Sequence, residues 1–207
     1  MTVSLILFLN ICLITVTAFP WAQSILYTKK NDKMKNFGMS FSSSFIFVVI
    51  FFYFLYPDFY MSLIRTFFIR DIFFIIFSCV FSILIENLVF RLKYKKQYCI
   101  KIPQNFILLI YISIVIPIAE EILFRGILKY FFDLYNLPSV LYICSSSIFF
   151  GLNHQFYSKI NILTKAIWGI FFSLSYCFTG NILVPAISHI VINLIYTVMA
   201  VRRKSYA

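Results

Sequence analysis

The residues of this chain whose types and spacing could do chemistry are two adjacent carboxylates and a guanidinium, with the only two histidines. Glu120, Glu121 and Arg125 fall in the run Pro117-Ile118-Ala119-Glu120-Glu121-Ile122-Leu123-Phe124-Arg125-Gly126, and the histidines are His154 and His189. All five lie in apolar stretches, where a charge costs roughly a few kcal/mol unless something pairs with it. Successive helical residues point about 100° apart, so Glu120 and Glu121 face different directions, and only Glu121 shares a stripe with Arg125, four residues on. The spacing predicts a Glu121–Arg125 ion pair and leaves Glu120 to face the histidines.

Two further pairs share this four-residue spacing: Phe150 with His154, and His189 with Asn193. Phe150 reads as packing. An imidazole and a carboxamide on one stripe aim their donors the same way, an arrangement suited to a developing oxyanion. Two neighbouring carboxylates with one arginine in a low dielectric do not both ionise easily. Arg125 holds Glu121 as the anion, while burial and the like charge leave Glu120 as the group that takes up a proton. The chemistry these residues fit is amide hydrolysis: Glu120, helped by His154, activates a water, His189 and Asn193 stabilise the oxyanion, and Glu121 and Arg125 support them. No cofactor is required. Zinc is the alternative, since Glu120, His154 and His189 also make a legitimate ligand set, although no His-Glu-x-x-His is present. The bland reading is that membrane histidines make interhelical hydrogen bonds and that the Glu-Glu-Arg group is structural glue.

The elements that must position these residues are membrane helices. An apolar fraction of 62%, 27 Phe and only 12% charged residues lie far outside the range of soluble domains. At about 20 residues per span, apolar runs fall at residues 4–20, 41–56, 71–90, 106–132, 138–151, 162–178 and 184–201. The expected fold is all-α, a polytopic helical bundle of about seven transmembrane helices. Residues 1–103 hold the amino-terminal spans, 104–201 the spans that carry the polar residues named above and 202–207 a basic tail, all in one membrane domain. Residues 60–70, with Arg65 and Arg70 amid Phe and Ile, suit a helix lying in the interface. The amino-terminal run has no basic residue before it and is followed by Trp21 and lysines, the pattern of a retained span.

A net charge of +11 raises nucleic acid as a partner, but the positive charges cluster in the breaks between apolar runs. Fourteen of the eighteen Lys and Arg, from Lys29–Lys35, Arg91–Lys101, Lys159 with Lys165, and Arg202–Lys204, fall on one side. By the positive-inside rule that side is cytoplasmic, giving a multi-pass cell-membrane protein with its amino terminus outside and its carboxyl terminus in the cytoplasm. No nucleic acid is expected. Glu86, close to Arg91 and Lys93, reads as an interface residue. The five scattered cysteines have no metal or disulfide spacing.

Pro117 should kink the helix about one turn before Glu120 and leave a carbonyl near Ser113 free. Glu120 lies about 16 residues before the turn at Tyr135-Asn136-Leu137-Pro138 and His154 about 16 after it, so an antiparallel pair brings them to similar depth. His189 comes only a few residues after the next turn. Straight spans would separate the two histidines, so the site requires tilted helices or a break after His154 sunk below the surface.

Taken in order and inside membrane spans, Glu120-Glu121-x-x-x-Arg125, Phe150-x-x-x-His154 and His189-x-x-x-Asn193 resemble the CPBP family, the type II CAAX prenyl proteases and bacteriocin-processing enzymes also labelled Abi. The resemblance covers residues 106–200. It implies an all-helical intramembrane endopeptidase with Glu120 as catalytic glutamate, Glu121 and Arg125 as its supporting pair, His154 as second member of the water-activating dyad, and His189 with Asn193 on the oxyanion side, without catalytic metal. A Phe/Ile/Lys-rich chain of this kind looks like that of a low-GC bacterium. There the resemblance implies bacteriocin or peptide-pheromone processing, or self-immunity, with a membrane-associated peptide as substrate, the lipid bilayer as surroundings and an adjacent peptide exporter as partner. Two other classes stay open on sequence: a non-catalytic immunity or binding protein of the same fold, and a proton-coupled transporter, against which the lack of an internal repeat argues.

Overall fold

The computed structural model describes residue 46 and residues 49–50, 52–54, 56–94, 110–154 and 159–204. Among these residues every regular element is helical. The elements are α1 (Pro57–Leu63), α2 (Ile69–Tyr94), a continuous run containing α3 (Ile116–Glu121) and α4 (Leu128–Leu134), then α5 (Ser139–Leu152), α6 (Lys159–Thr179) and α7 (Leu183–Lys204). The apolar run at residues 4–20 lies outside the described residues, and that at 41–56 is described only in part. Over their described residues the five later runs coincide with helices. Two of them, Ile69–Leu92 and Ile160–Thr179, are long and apolar enough to cross a membrane by themselves.

α2 shows how the composition works. Ile69, Ile72, Phe73, Ile76, Val80, Leu84 and Leu88 are exposed along one side, while Asp71, Ser78, Ser82 and Glu86 are buried along the other. A helix that buries its polar stripe and exposes its aliphatic one has lipid as its outer solvent. The buried stripe runs antiparallel along α6. Arg70 donates to the Thr179 carbonyl at 3.4 Å, Ser78 and Ser175 share a hydrogen bond of 2.5 Å, Trp168 Nε1 donates to the Ser82 carbonyl at 3.1 Å, and Lys165 pairs with Glu86 at 3.2 Å. With α6 and α7 joined by a short turn, the carboxyl ends of α2 and α7 and the amino end of α6 share one end of the bundle. These are the helix ends beside the Arg91, Lys159 and Arg202 clusters.

Three sequence expectations change here. Glu86 is fully buried and meets its cation 79 residues away on α6, so it is an internal ion-pair residue and no interface group. Lys165 correspondingly lies inside α6, with its Nζ 2.9 Å from the centre of the Trp168 ring, and not in a basic break. Residues 60–70 also do not form one interface helix. α1 ends at Leu63, and 64–68 are non-helical because their backbone is held elsewhere. Asn181 Nδ2 donates to the Arg65 carbonyl, the Ile182 N–H to the Leu63 carbonyl, and the Phe68 N–H to Asp71.

α5 and α6 pack most closely, through small residues. A Cβ on Gly151 would stand 2.5 Å from the Ile162 carbonyl and 2.8 Å from Ala166 Cβ; one on Gly169 would stand 2.7 Å from Ser147 Cα. Backbone approach of this kind replaces the hydrophobic drive that lipid removes.

Candidate active site

The helical run that carries the glutamates is not a regular α-helix. Residues 111–115 and 122–127 are π-helical, with the Ile116 N–H reaching the Tyr111 carbonyl and the Leu128 N–H reaching that of Leu123, both five residues back. α3 sits between the two wide turns. Pro117 supplies no N–H, and the wide turn before it absorbs the defect as π geometry inside an unbroken helix. Wide turns on both sides of Glu120 and Glu121 set the direction of both carboxylates, which are buried.

Glu121 behaves as its spacing predicts. Its two oxygens lie 3.2 and 3.1 Å from Arg125 Nη1. Arg125 is fully buried, gives a second nitrogen to the Gly169 carbonyl at 3.3 Å and lies over the Phe150 ring at 4.6 Å and the Phe172 ring at 5.3 Å. Only a glycine brings α6 close enough to α5 for that carbonyl to be where it is. Phe150 is thus a platform for the guanidinium as well as packing.

His189, on the second turn of α7, reaches both glutamates. Its Nδ1 is 2.9 Å from Glu121 Oε1 and its Nε2 is 3.7 Å from Glu120 Oε2. A carboxylate paired with arginine only accepts, so the proton of that short contact is on Nδ1. His154 has Nδ1 2.8 Å from the Phe150 carbonyl, also an acceptor, which makes Nε2 the acceptor nitrogen of the neutral ring. Both imidazoles flank the same Phe150 ring, with centroids at 4.9 Å for His154 and 5.5 Å for His189. The sunk break needed to bring the histidines together is therefore present: α5 ends at Leu152, and Asn153 and His154 form a turn at the depth of Glu120.

Asn193 is half-buried one turn beyond His189. Thr197, a further turn on, lies 3.4 Å from Ser113. His189 touches Glu120 and Glu121 and Thr197 touches Ser113, and Asn193 lies on α7 between those two positions.

One contact has no counterpart in the motif reading. Asn153 Nδ2 donates to Glu120 Oε1 at 2.9 Å, and Asn153 is buried. A carboxamide beside His154 in an otherwise apolar run was the available signal. Among the described residues no three His, Cys, Asp or Glu side chains form a metal-holding group. Glu120 Oε1 and both Nδ1 atoms are engaged by Asn153, Glu121 and the Phe150 carbonyl, so the atoms that zinc would take are Glu120 Oε2 and the two Nε2 atoms.

The comparisons with known proteins fall on this half of the chain. Residues 102–195 match the family described as type II CAAX prenyl endopeptidase Rce1-like. The uncharacterized protein YpbD of Bacillus subtilis (strain 168) is 32% identical over 90 residues, 42% of this chain and 43% of that relative, so the match spans under half the relative's length. No solved structure matches. The family is one of membrane-embedded proteases, and the stretch of this chain that is similar to it, residues 102–195, holds Glu120, Glu121, Arg125, His154, His189 and Asn193.

Proposed function

We propose that the chain is an intramembrane endopeptidase that hydrolyses a peptide bond in a hydrophobic or membrane-anchored peptide, with Glu120 as the base that activates water. The observation that carries this reading is the buried chain Arg125–Glu121–His189–Glu120, whose last link is a 3.7 Å gap. Glu121, balanced by Arg125, holds the ring of His189 and can support it as an imidazolium. Glu120 Oε2 removes a proton from water, and the water oxygen attacks the peptide carbonyl carbon. The carbonyl oxygen becomes an oxyanion opposite His189 Nε2–H and the Asn193 amide. When the C–N bond breaks, the proton on Glu120 passes to the leaving nitrogen, giving a carboxylic acid and an amine. His154, with Nε2 as acceptor, assists in holding the water.

The substrates that the apolar surroundings and the family likeness support are a CAAX-type carboxyl terminus, or a bacteriocin or pheromone precursor, entering from the lipid or from the basic end. That end is the cytoplasmic one in this reading, and a neighbouring exporter would carry the product. The test is cleavage of a co-expressed membrane-anchored peptide. Glu120→Gln should abolish it while the protein still accumulates in the membrane; undiminished cleavage would overturn the assignment.

A further inference from the structure

Asn153 belongs to none of the three motifs, yet its carboxamide grips Glu120, the base of the proposed reaction. Its Nδ2 donates to Glu120 Oε1 at 2.9 Å. The ionised carboxylate only accepts, so the amide nitrogen must face it and the amide oxygen must face away. The residue is 3% exposed, and among the described residues no donor reaches Asn153 Oδ1. A buried carbonyl oxygen without a donor costs free energy that a well-placed ligand N–H recovers.

We propose that Asn153 is a two-ended positioning residue: Nδ2 fixes Glu120 so that Oε2 faces the reacting water, and Oδ1 accepts a backbone N–H of the bound peptide beside the scissile bond. The assignment rests on the hydrolase reading above. Each end explains a separate fact. Glu120 Oε1 is occupied by Asn153, so its other oxygen, the one 3.7 Å from His189 Nε2, is the one available for proton transfer. Asn153 Oδ1 sits on the same planar group as the nitrogen that holds the base, so whatever donates to it lies next to the chemistry. The donor best suited to that place is a peptide N–H: it is neutral, it comes with every substrate, and it brings no charge into an apolar site. Turn geometry supplies the rigidity. The Asn153 N–H bonds to the Phe149 carbonyl and the His154 N–H to that of Gly151, so the side chain departs from a fixed backbone.

The experiment uses the full chain in liposomes and a panel of quenched-fluorescent hydrophobic peptides, beginning with a prenylated CAAX peptide. Each peptide is also made with N-methyl groups placed singly at the amides around the cleaved bond. At one position methylation should lower wild-type kcat/KM about tenfold or more, but the Asn153→Ala enzyme less than about threefold, because the bond is already gone there. Asn153→Ala should itself lower kcat, and Asn153→Asp, which keeps an acceptor but loses the donor to Glu120, should retain sensitivity to methylation while losing kcat. No amide position showing this coupling, with Glu120→Gln inactive, overturns the role of Asn153 alone. A wild type that cleaves no peptide in the panel, or a Glu120→Gln variant that cleaves normally, overturns the hydrolase reading and this inference together.

Discussion

His189 Nε2 stands 3.7 Å from Glu120 Oε2, too far for a direct hydrogen bond and near enough for both atoms to contact one water or one carbonyl oxygen. The other face of the ring is tied to Glu121 at 2.9 Å. His189→Gln should keep a donor in the pocket but lose the Glu121-supported cation, and kcat should fall by about a hundredfold or more with little change in KM, as expected when a transition-state donor is weakened. Steady-state kinetics on one cleaved peptide check this.

The Glu86–Lys165 pair joins α2 to α6 inside the bundle. Removing one partner leaves a buried charge uncompensated, so Glu86→Leu or Lys165→Met alone should destabilise by about 3–5 kcal/mol, and the double variant should recover most of that loss. A double-mutant cycle in thermal unfolding of the detergent-solubilised protein measures it; additive losses would contradict the pairing.

The three helix-packing glycines should differ in cost. Around Gly151 and Gly169 an added methyl meets backbone or Cβ atoms, whereas around Gly126 it meets the ends of Leu63 and Phe59 side chains at 3.2 and 3.3 Å. Gly151→Ala and Gly169→Ala should therefore cost about 1–3 kcal/mol and Gly126→Ala less. Gly169→Ala should also depress activity beyond its effect on stability, since it moves the carbonyl that Arg125 binds. Melting temperatures and residual cleavage of the three variants test the order.

Purified protein, exhaustively chelated and with its metal content measured, should keep cleaving. Loss of activity restored by stoichiometric zinc would show that Glu120, His154 and His189 rearrange into a ligand set that the present geometry does not form.

Parts of this site were legible in the sequence because helix geometry is local. The Glu121–Arg125 pair follows from a spacing of four, and the common depth of Glu120 and the Asn153-His154 turn follows from a constant rise on either side of a visible turn. Contacts between helices were not legible in this way. Glu86 and Lys165 each looked like an interface charge because nothing along the chain indicates that residues 79 apart face each other. The meeting of the two histidines depended on where α5 stops, and that is set by the turn at Asn153, which itself is held by backbone hydrogen bonds that any residue type could make. Residues 64–68 resemble a helical segment in composition, but Asn181 and Asp71 capture their backbone first.

α5 runs only from Ser139 to Leu152, about 21 Å at 1.5 Å per residue, where the hydrocarbon layer measures about 30 Å. A peg this short stops inside the layer, with the turn bearing Asn153 and His154 at its end. Hydrolysis consumes a molecule that oil excludes, and a helix that stops early sets its last residues nearer to the bilayer's midplane than a full span would, which is where the carboxylates of the neighbouring run wait for that molecule.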